Sequence, residues 1–275
     1  MKDTGERHIL NENFKNKSEL YLHLIHIATY EYAKNFTAGK KVLDFGCGSG
    51  YGAKILSETA AYAVGVDISE EAIDFAKKEY VSPNLDFMTY TELAENEKFD
   101  VITSFQVIEH VKNNSEYIIN LKKMLAPNGI LIISTPDRKN RLFSHIQKPW
   151  NIFHIKEYSY KSLKNLFDNH FRTVEILKIG SNCDLIFEEI ARTKKQRNIA
   201  LPATLFFYPD FFRVSMLKIQ RILFESLKRI KSGSKKTEVT GLSRNTFMSE
   251  YTYEDILFKE ELEYSTDLLV ISKNN

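Results

Sequence analysis

The sequence predicts an α/β fold in which a mostly parallel sheet carries helices on both faces. From Lys40 onward, short β-branched runs alternate with helical patterns, which is typical of parallel strands joined by helical crossovers. Of the 275 residues, 43% are hydrophobic and 27% are charged, as in globular chains and unlike disordered ones. We expect a single domain over residues 1–275. It comprises an N-terminal helical lid (1–39), a core (40–183), a helical basic insertion (184–264) and a final strand (265–275).

Each element is predicted from its own local pattern. Leu20, Leu24 and Ile27 lie at helical spacing and indicate a helix before the first strand. Further helices are predicted over about 51–59, 159–169 and 211–230. The turn sequence Pro127-Asn128-Gly129 precedes the fifth strand. The strands are predicted at residues 41–45, 62–67, 85–88, 100–105, 130–134, 174–179 and 267–272.

Hydropathy and cysteine content indicate where in the cell the protein resides and whether its cysteines are reduced. No run reaches the 18 apolar residues of a membrane-spanning helix, and the first residues lack the apolar core of a signal peptide. We therefore expect a cytoplasmic location. Cys47 and Cys183 are far apart and have no Cys or His neighbour at ligand spacing. Reduced thiols are therefore expected, with no disulfide and no bound metal.

Basic residues are concentrated in one segment. Between Arg192 and Lys236 there are 12 Lys or Arg and 2 Asp or Glu, a local charge of +10 in a chain whose net charge is +2. The favoured interpretation is that this segment packs on its own domain and that the acidic tail over 250–263 neutralises it. The alternatives are an amphipathic helix over 206–231 in peripheral contact with a membrane and, least favoured, nucleic-acid binding.

Glycine occupies every second position from Gly46 to Gly52, directly after the first predicted strand. Such a loop lets a ligand approach bare backbone at the carboxyl edge of the sheet. A dinucleotide fingerprint that starts at Gly46 would need glycine at position 51, where the chain has Tyr51. A P-loop would need Gly-Lys followed by Ser or Thr, and this loop has no lysine. The loop therefore predicts neither NAD nor a nucleoside triphosphate.

Two acidic residues flank this loop and indicate the ligand. Asp44, just before the glycines, would repel a pyrophosphate but suits an ammonium group. Asp67, at the end of the second strand, stands where a carboxylate can accept both hydroxyls of a ribose. S-adenosyl-L-methionine carries both groups, and we predict it as the cofactor.

Three stretches resemble the successive motifs of class I S-adenosylmethionine-dependent methyltransferases. They are Val42 to Gly52, Asp67, and Phe99 to Val111. The resemblance covers roughly residues 40 to 180 and the last strand. The chain also resembles a bacterial subgroup linked to surface-polysaccharide and glycan biosynthesis, in four further stretches: Gly5-Glu6-Arg7, His26 with Tyr30 and Ala33, Gly50-Tyr51-Gly52, and Asn151 to Tyr158.

The resemblance implies a Rossmann-like sheet of seven strands whose last strand is antiparallel. It also implies the cofactor-binding residues: Asp44, Gly46, Cys47, Gly48 and Gly50 at the methionine part, Asp67 at the ribose, Thr89 and Tyr90 beside the adenine, and Ile68 and Gln106 in the same pocket. Relatives commonly carry an acidic residue near Thr89 that holds the adenine amino group. Thr89 would leave that contact to the backbone.

The chemistry of a sulfonium donor indicates the catalytic residues. Its methyl group is already activated, so the protein must align donor and acceptor and remove a proton from a hydroxyl acceptor. Histidine suits that removal near neutral pH. We predict O-methylation with His154 or His110 as the base and with Glu109 orienting an imidazole.

The acceptor class is predicted from the subgroup resemblance. Methyltransferases that act on the amino groups of nucleic-acid bases have an Asn/Asp-Pro-Pro-aromatic motif at this place. The run Ser104-Phe105-Gln106-Val107 does not resemble that motif, which disfavours N-methylation of nucleic acid. The favoured acceptor is a hydroxyl of a sugar or glycan intermediate. The alternatives are a membrane-associated lipid or quinone methyltransferase and a non-catalytic protein that binds the cofactor.

Overall fold

A computed structural model describes residues 14, 16–94, 96–143, 146–232 and 250–274. The motif Gly5-Glu6-Arg7 and the last residues of the basic segment, 233–236, lie outside these residues. The chain forms one eight-stranded sheet in the order β3-β2-β1-β4-β5-β8-β6-β7. The strands are β1 (Lys41–Phe45), β2 (Tyr62–Asp67), β3 (Leu85–Thr89), β4 (Phe99–Phe105), β5 (Leu125–Pro136), β6 (Thr173–Ser181), β7 (Ile256–Lys259) and β8 (Ser265–Lys273).

The predicted fold class is confirmed, and the predicted count of seven strands is wrong. Strands β3, β2, β1, β4 and β5 are parallel to one another. The last strand, β8, runs antiparallel to both β5 and β6, as expected. The additional strand is β7, which pairs antiparallel with β6 from Lys178↔Lys259 to Ser181↔Ile256. It has only four residues inside a segment that was predicted to be helical, so no alternating pattern of useful length marks it.

Eight helices are found in the described part of the chain. They are α1 (Lys17–Ala33), α2 (Tyr51–Ser57), α3 (Glu70–Glu79), α4 (Asn114–Met124), α5 (Arg138–Arg141), α6 (Tyr160–Asp168), α7 (Leu185–Ala200) and α8 (Asp210–Ser232). Asn16, Ser69, Asn113 and Ser159 begin four of them, and each side chain accepts a hydrogen bond from a backbone N–H of the first turn. These are the N-cap residues that supply acceptors to otherwise unpaired donors.

Alternate residues of the strands enter two hydrophobic cores, one on each face of the sheet. On β1, Val42 joins the core that contains α1, α2, α3 and α7, whereas Leu43 joins the core that contains α4 and α6. Both side chains are fully buried. This alternation is typical of a sheet covered on both faces.

The buried residues that the structure describes on helix α8 lie in the first part of the helix. Arg213 and Leu217 are buried, and the Arg213 guanidinium donates to the carbonyls of Pro149 and Asn151. From Arg221 to Phe224, every side chain is exposed. None of the helices in the described part of the chain combines the length and the hydropathy of a membrane-spanning segment.

Candidate active site

The loop between β1 and α2 turns sharply because its glycines adopt left-handed backbone angles. The φ angles are 86° at Gly46, 53° at Gly48 and 88° at Gly50, a region that glycine enters without steric cost. A Cβ atom on Gly46 would lie 2.5 Å from a methyl carbon of Val107, whereas one on Gly48 would meet no atom within 4 Å. The loop thus packs closely on one side and leaves open space at Gly48.

A cavity of about 520 Å³ lies against this loop, at the carboxyl edge of the parallel strands. Of the predicted site residues, Gly46, Cys47, Gly48, Asp67, Ile68, Tyr90, Gln106 and His110 line it. The other lining residues are His26, Tyr30, Phe45, Ser49, Tyr51, Val66, Phe105, Val107 and Phe153. The position agrees with the general rule that open α/β sheets bind ligands beyond their strand ends.

Asp67 is held in one orientation by the backbone. Its Oδ2 accepts a hydrogen bond from Gly48 N at 3.0 Å, and its Oδ1 accepts one from Ser69 N at 2.9 Å. The side chain lines the cavity. Each carboxylate oxygen has a second lone pair, so Asp67 can also accept hydrogen bonds from two neighbouring hydroxyl groups of a ligand.

Asp44 is buried behind the glycine loop rather than in the cavity wall. The Tyr30 hydroxyl donates to its Oδ2 at 3.1 Å, and the Thr103 hydroxyl donates to its Oδ1 at 2.9 Å. Burial raises the pKa of Asp44 to about 7, although these two hydrogen bonds lower it. A buried carboxylate that ionises near neutrality gains from a nearby cation, as the ammonium group of the predicted cofactor would provide.

Gly50 and Thr89, which are predicted to bind the cofactor, are not among the residues that line this cavity. A Cβ atom on Gly50 would point at Ala76 and Phe87, 2.6 and 2.8 Å away. Gly50 therefore permits close packing of α2 on the sheet. Thr89 begins a short 3₁₀ turn, where its backbone N–H and hydroxyl donate to Glu92 Oε2 at 2.6 and 2.8 Å. An acidic group thus lies beside Thr89 after all.

Gln106 reaches the cavity with a left-handed φ of 57°. Its side-chain amide donates to Asp267 Oδ1 at 2.9 Å. Asp267 lies on β8, and burial raises its pKa to about 6. Gln106 therefore joins the end of β4 to β8 as well as lining the cavity.

Helix α1 contributes two cavity residues that were not among the predicted site residues, His26 and Tyr30. In the sequence, both residues belong only to the stretches that resemble the glycan-linked subgroup. Burial lowers the pKa of His26 to about 4, so its imidazole is neutral at pH 7. Tyr30 packs edge-on against Phe105 with 4.8 Å between ring centroids, and so closes the cavity from the side of α1.

Glu109, His110 and His154 come together at one end of the cavity. The rings of His110 and His154 meet edge-to-face, with centroids 4.8 Å apart. His110 lines the cavity, whereas His154 and Glu109 are buried beside it. Burial raises the pKa of Glu109 to about 8, although a hydrogen bond from the Thr135 hydroxyl lowers it. We call these three side chains the Glu109–His110–His154 cluster.

The carboxylate that bonds to the ring of His154 is Glu157, which is not among the predicted site residues. The orienting role of Glu109 stays a prediction. Glu157 Oε1 lies 2.9 Å from His154 Nδ1 and 3.1 Å from Arg141 Nε. Burial alone would raise the pKa of Glu157, but the charge of Arg141 and the hydrogen bond from His154 outweigh it and lower that pKa. A buried, ionised carboxylate therefore fixes the ring of His154.

Comparison with known proteins decides the family. A family model described as a methyltransferase domain matches residues 18–170. The chain belongs to this methyltransferase family. Its cofactor is S-adenosyl-L-methionine, and the site fits that group: open space at Gly48, two acceptors on Asp67 and the buried carboxylate of Asp44 match its backbone contacts, ribose and ammonium.

Curated relatives agree with the family at moderate identity. A protein of Mycolicibacterium smegmatis named "Probable S-adenosylmethionine-dependent methyltransferase" is 32% identical over 170 residues, which are 60% of this chain and 63% of that protein. The ubiquinone biosynthesis O-methyltransferase of Pasteurella multocida is 35% identical over 119 residues, which are 38% of this chain and 49% of that enzyme. The chain thus spans less than two thirds of the length of these relatives.

Solved structures support the fold alone. A SAM-dependent methyltransferase of Thermotoga maritima, described as a "possible histamine N-methyltransferase", superposes with a TM-score of 0.52 at 14% identity and covers 96% of this chain and 97% of its own. The [4+2]-cyclase SpnF has the same TM-score of 0.52 at 13% identity, with 98% and 88% coverage. This fold therefore carries more than one chemistry.

Proposed function

We propose that this methyltransferase is an O-methyltransferase that acts on a hydroxyl of a sugar or glycan intermediate. The observation that carries the proposal is the position of the Glu109–His110–His154 cluster. His110 lines the same cavity as Asp67 and the glycine loop. A cofactor bound by Asp67 and the glycine loop would therefore lie beside a side chain able to accept a proton, as transfer to a hydroxyl requires.

In this proposal one set of residues binds the cofactor and another removes the proton from the acceptor. S-adenosyl-L-methionine supplies a methyl group on a positively charged sulfur. Asp67, Asp44 and the glycine loop bind and orient the cofactor, and Phe105, Phe153 and Val107 form apolar parts of the cavity wall. His110 lines that cavity and its Nδ1 is hydrogen-bonded to the Phe153 carbonyl at 3.2 Å. In this proposal its Nε2 carries the lone pair that accepts the hydroxyl proton of the acceptor.

The sugar acceptor is supported by the run Asn151 to Tyr158, which resembles the glycan-linked subgroup. In the structure this run brings His154 and Phe153 to the end of the cavity. The residues that resemble the subgroup are thus the ones beside which an acceptor would lie.

Methyl transfer to a panel of sugar acceptors tests the proposal. The panel contains nucleotide sugars and short glycans, the donor carries a labelled methyl group, and the product is analysed for the methylated atom. We expect a methyl ether and a loss of roughly 100-fold in kcat for His110→Ala, with S-adenosylhomocysteine binding retained. His170→Ala, a histidine bonded to Ser115 away from the cavity, is the matched control and keeps full turnover.

Two outcomes contradict the proposal. A methylated nitrogen in the product would exclude O-methylation as the main reaction. Cofactor binding without transfer to any acceptor class would favour the non-catalytic alternative.

A second candidate is a lipid or quinone acceptor at a membrane, favoured by the exposed apolar side chains of α8 and the loop before it. These are Phe206, Phe207, Phe211, Ile219, Ile222, Leu223 and Phe224, which we call the apolar arm. The segment is basic as well, and such a combination is typical of helices that lie on anionic membranes. Glu261, in the acidic tail, forms an ion pair with Lys178 on β6 and not with a basic residue of this segment. Among the relatives are ubiquinone biosynthesis O-methyltransferases.

A further inference from the structure

We infer that Glu109, His110 and His154 form a binding site for a divalent transition-metal cation beside the cofactor cavity. One ligand atom from each side chain lies within 4.8 Å of the others. Two imidazoles and one carboxylate are a donor set that proteins use for such cations, with further coordination positions open to substrate. The inference rests on the proposed function and refines it, because the two histidines become metal ligands instead of proton acceptors.

The hydrogen bonds of both imidazoles fix the ring nitrogen that carries the proton. His110 Nδ1 lies 3.2 Å from the Phe153 carbonyl oxygen. A carbonyl oxygen only accepts, so Nδ1 carries the proton and the lone pair is on Nε2. His154 Nδ1 lies 2.9 Å from a carboxylate oxygen of Glu157, with the same consequence. Metal-binding histidines in proteins donate their other N–H to a carbonyl or carboxylate in this way.

Glu109 has an oxygen without a partner. Its Oε2 accepts a hydrogen bond from the Thr135 hydroxyl at 3.1 Å, but its Oε1 is buried and has no hydrogen-bond partner. The residue is only 1% exposed. Leaving a buried carboxylate oxygen unpaired is costly, and a bound cation would supply the missing contact.

The backbone holds the three donors together. Ile155 N and Lys156 N donate to the Glu109 carbonyl at 2.8 and 3.2 Å. These bonds attach the loop that carries His154 to the 3₁₀ turn that carries Glu109 and His110. The donors are therefore positioned by the fold before any cation binds, and such preorganisation favours affinity.

The cation would select acceptors and assist the reaction. Because His110 lines the cavity, the open coordination positions face the acceptor, and an acceptor with two vicinal oxygens could fill two of them. The cation lowers the pKa of the acceptor hydroxyl, whose proton leaves to water. The oxygen electron pair then forms the bond to the methyl carbon while the carbon–sulfur bond breaks, which yields a methyl ether and S-adenosylhomocysteine.

The experiment measures binding of the metal alone. Tag-free protein freed of metal with EDTA is titrated with Zn²⁺ by calorimetry and with Co²⁺ by visible absorption, which reports coordination independently of activity. We expect one site per chain, and at least a tenfold loss of affinity in Glu109→Gln and His154→Ala. His170→Ala is the matched histidine control and retains wild-type binding. Mg²⁺ is expected to bind more weakly than Zn²⁺, because imidazole nitrogen suits zinc better.

Binding of S-adenosylhomocysteine to each variant separates loss of the site from loss of the fold. If Glu109→Gln or His154→Ala fails to bind it, His110→Ala, whose side chain is only half-buried, takes its place. The inference is overturned if folded wild-type protein binds no Zn²⁺ or if the variants bind it equally well. Metal binding without methylation of any hydroxyl would instead contradict the proposed function and leave the metal site in place.

Discussion

The hydroxyl of Tyr30 on α1 donates a hydrogen bond to the carboxylate of Asp44 on β1, with 3.1 Å between the hydroxyl oxygen and Oδ2. This bond joins the N-terminal helix to the end of the first strand, directly behind the glycine loop. Tyr30 also lines the cavity. Anything that moves α1 therefore changes both the cavity wall and the environment of the carboxylate that suits the cofactor's ammonium group.

Cofactor binding is expected to strengthen as pH rises through neutrality. Burial raises the pKa of Asp44 to about 7, and an ammonium group binds the ionised form. Roughly a tenth of the sites are ionised one unit below the pKa and nine tenths one unit above it, so S-adenosylhomocysteine affinity should rise about tenfold from pH 6 to pH 8. Calorimetry across this range measures it. Asp44→Asn should bind weakly with a flat profile, and an equally steep profile in that variant would assign the dependence to another group.

The same carboxyl affects the stability of the protein without cofactor. A folded-state pKa of about 7, against 3.8 in the reference state, means that the folded state binds the Asp44 proton more tightly. Stability from this group is therefore present at low pH and is lost as pH rises from about 4 to 7. At pH 8, Asp44→Asn should raise the melting temperature by roughly 3 °C or more, with a smaller difference at pH 5. An equal difference at both values would contradict this account.

Replacing Gly52 with alanine should displace Tyr30. An added Cβ would lie 1.9 Å from the Tyr30 ring, so the ring must move and its bond to Asp44 is lost. We expect a loss of about 1–3 kcal/mol in the free energy of unfolding and weaker S-adenosylhomocysteine binding, measured by denaturation and calorimetry. Gly39→Ala is the control, since Gly39 has a φ of 68° and open space around it. It should reduce stability and leave binding unchanged.

The hydrogen bond from Thr135 to Glu109 should matter for metal affinity. Thr135→Val keeps the shape of a buried side chain and removes the hydroxyl that donates to Oε2 at 3.1 Å. Partners of metal ligands typically contribute 10- to 100-fold to affinity, so Zn²⁺ binding should weaken about tenfold or more. Visible absorption of the Co²⁺ complex measures the change. Unaltered Co²⁺ affinity in this variant would show that Glu109 is not a ligand.

The apolar arm is expected to bring the protein to anionic vesicles. Phosphatidylglycerol vesicles should carry it upward in a density gradient, phosphatidylcholine vesicles should not, and about 0.5 M salt should weaken the association. The double variant Ile222→Ser with Leu223→Ser should remain at the bottom. Val81→Ser, at another exposed apolar position, should float like the wild type. Failure of the wild type to float would favour packing of this segment within the protein's own domain.

Local patterns were sufficient for the first six strands and for several residues that line the cavity. The glycine loop, Asp44 and Asp67 follow from requirements of spacing and charge. In the structure Gly46, Gly48 and Asp67 line the cavity, and Asp44 is buried behind the loop. The alternating glycines did not reveal which of them face the ligand. Gly50 looks like Gly48 in sequence, but its missing side chain makes room for Phe87.

The prediction that no metal is bound rests on the two cysteines and their lack of neighbours at ligand spacing. Cysteine spacing carries no information about a site of imidazole and carboxylate ligands, such as the one proposed above. Glu109 and His154 are separated by 44 intervening residues, and their proximity depends on how the 151–158 loop folds back on the 3₁₀ turn. Arg141 and Glu157 meet for the same reason. Contacts between loops have no periodic signature, which is why Glu157 was missed as the partner of His154.

Strand β8 lies between β5 and β6, although it follows both in the chain. While the polypeptide is being synthesised, β5 and β6 emerge first and each keeps a row of unpaired backbone groups facing the gap. The two halves of the sheet can join only when residues 265–273 arrive. A truncation before Ser265 should therefore yield an incompletely folded, aggregation-prone protein with two unpaired strand edges. Expression vectors should leave this segment intact.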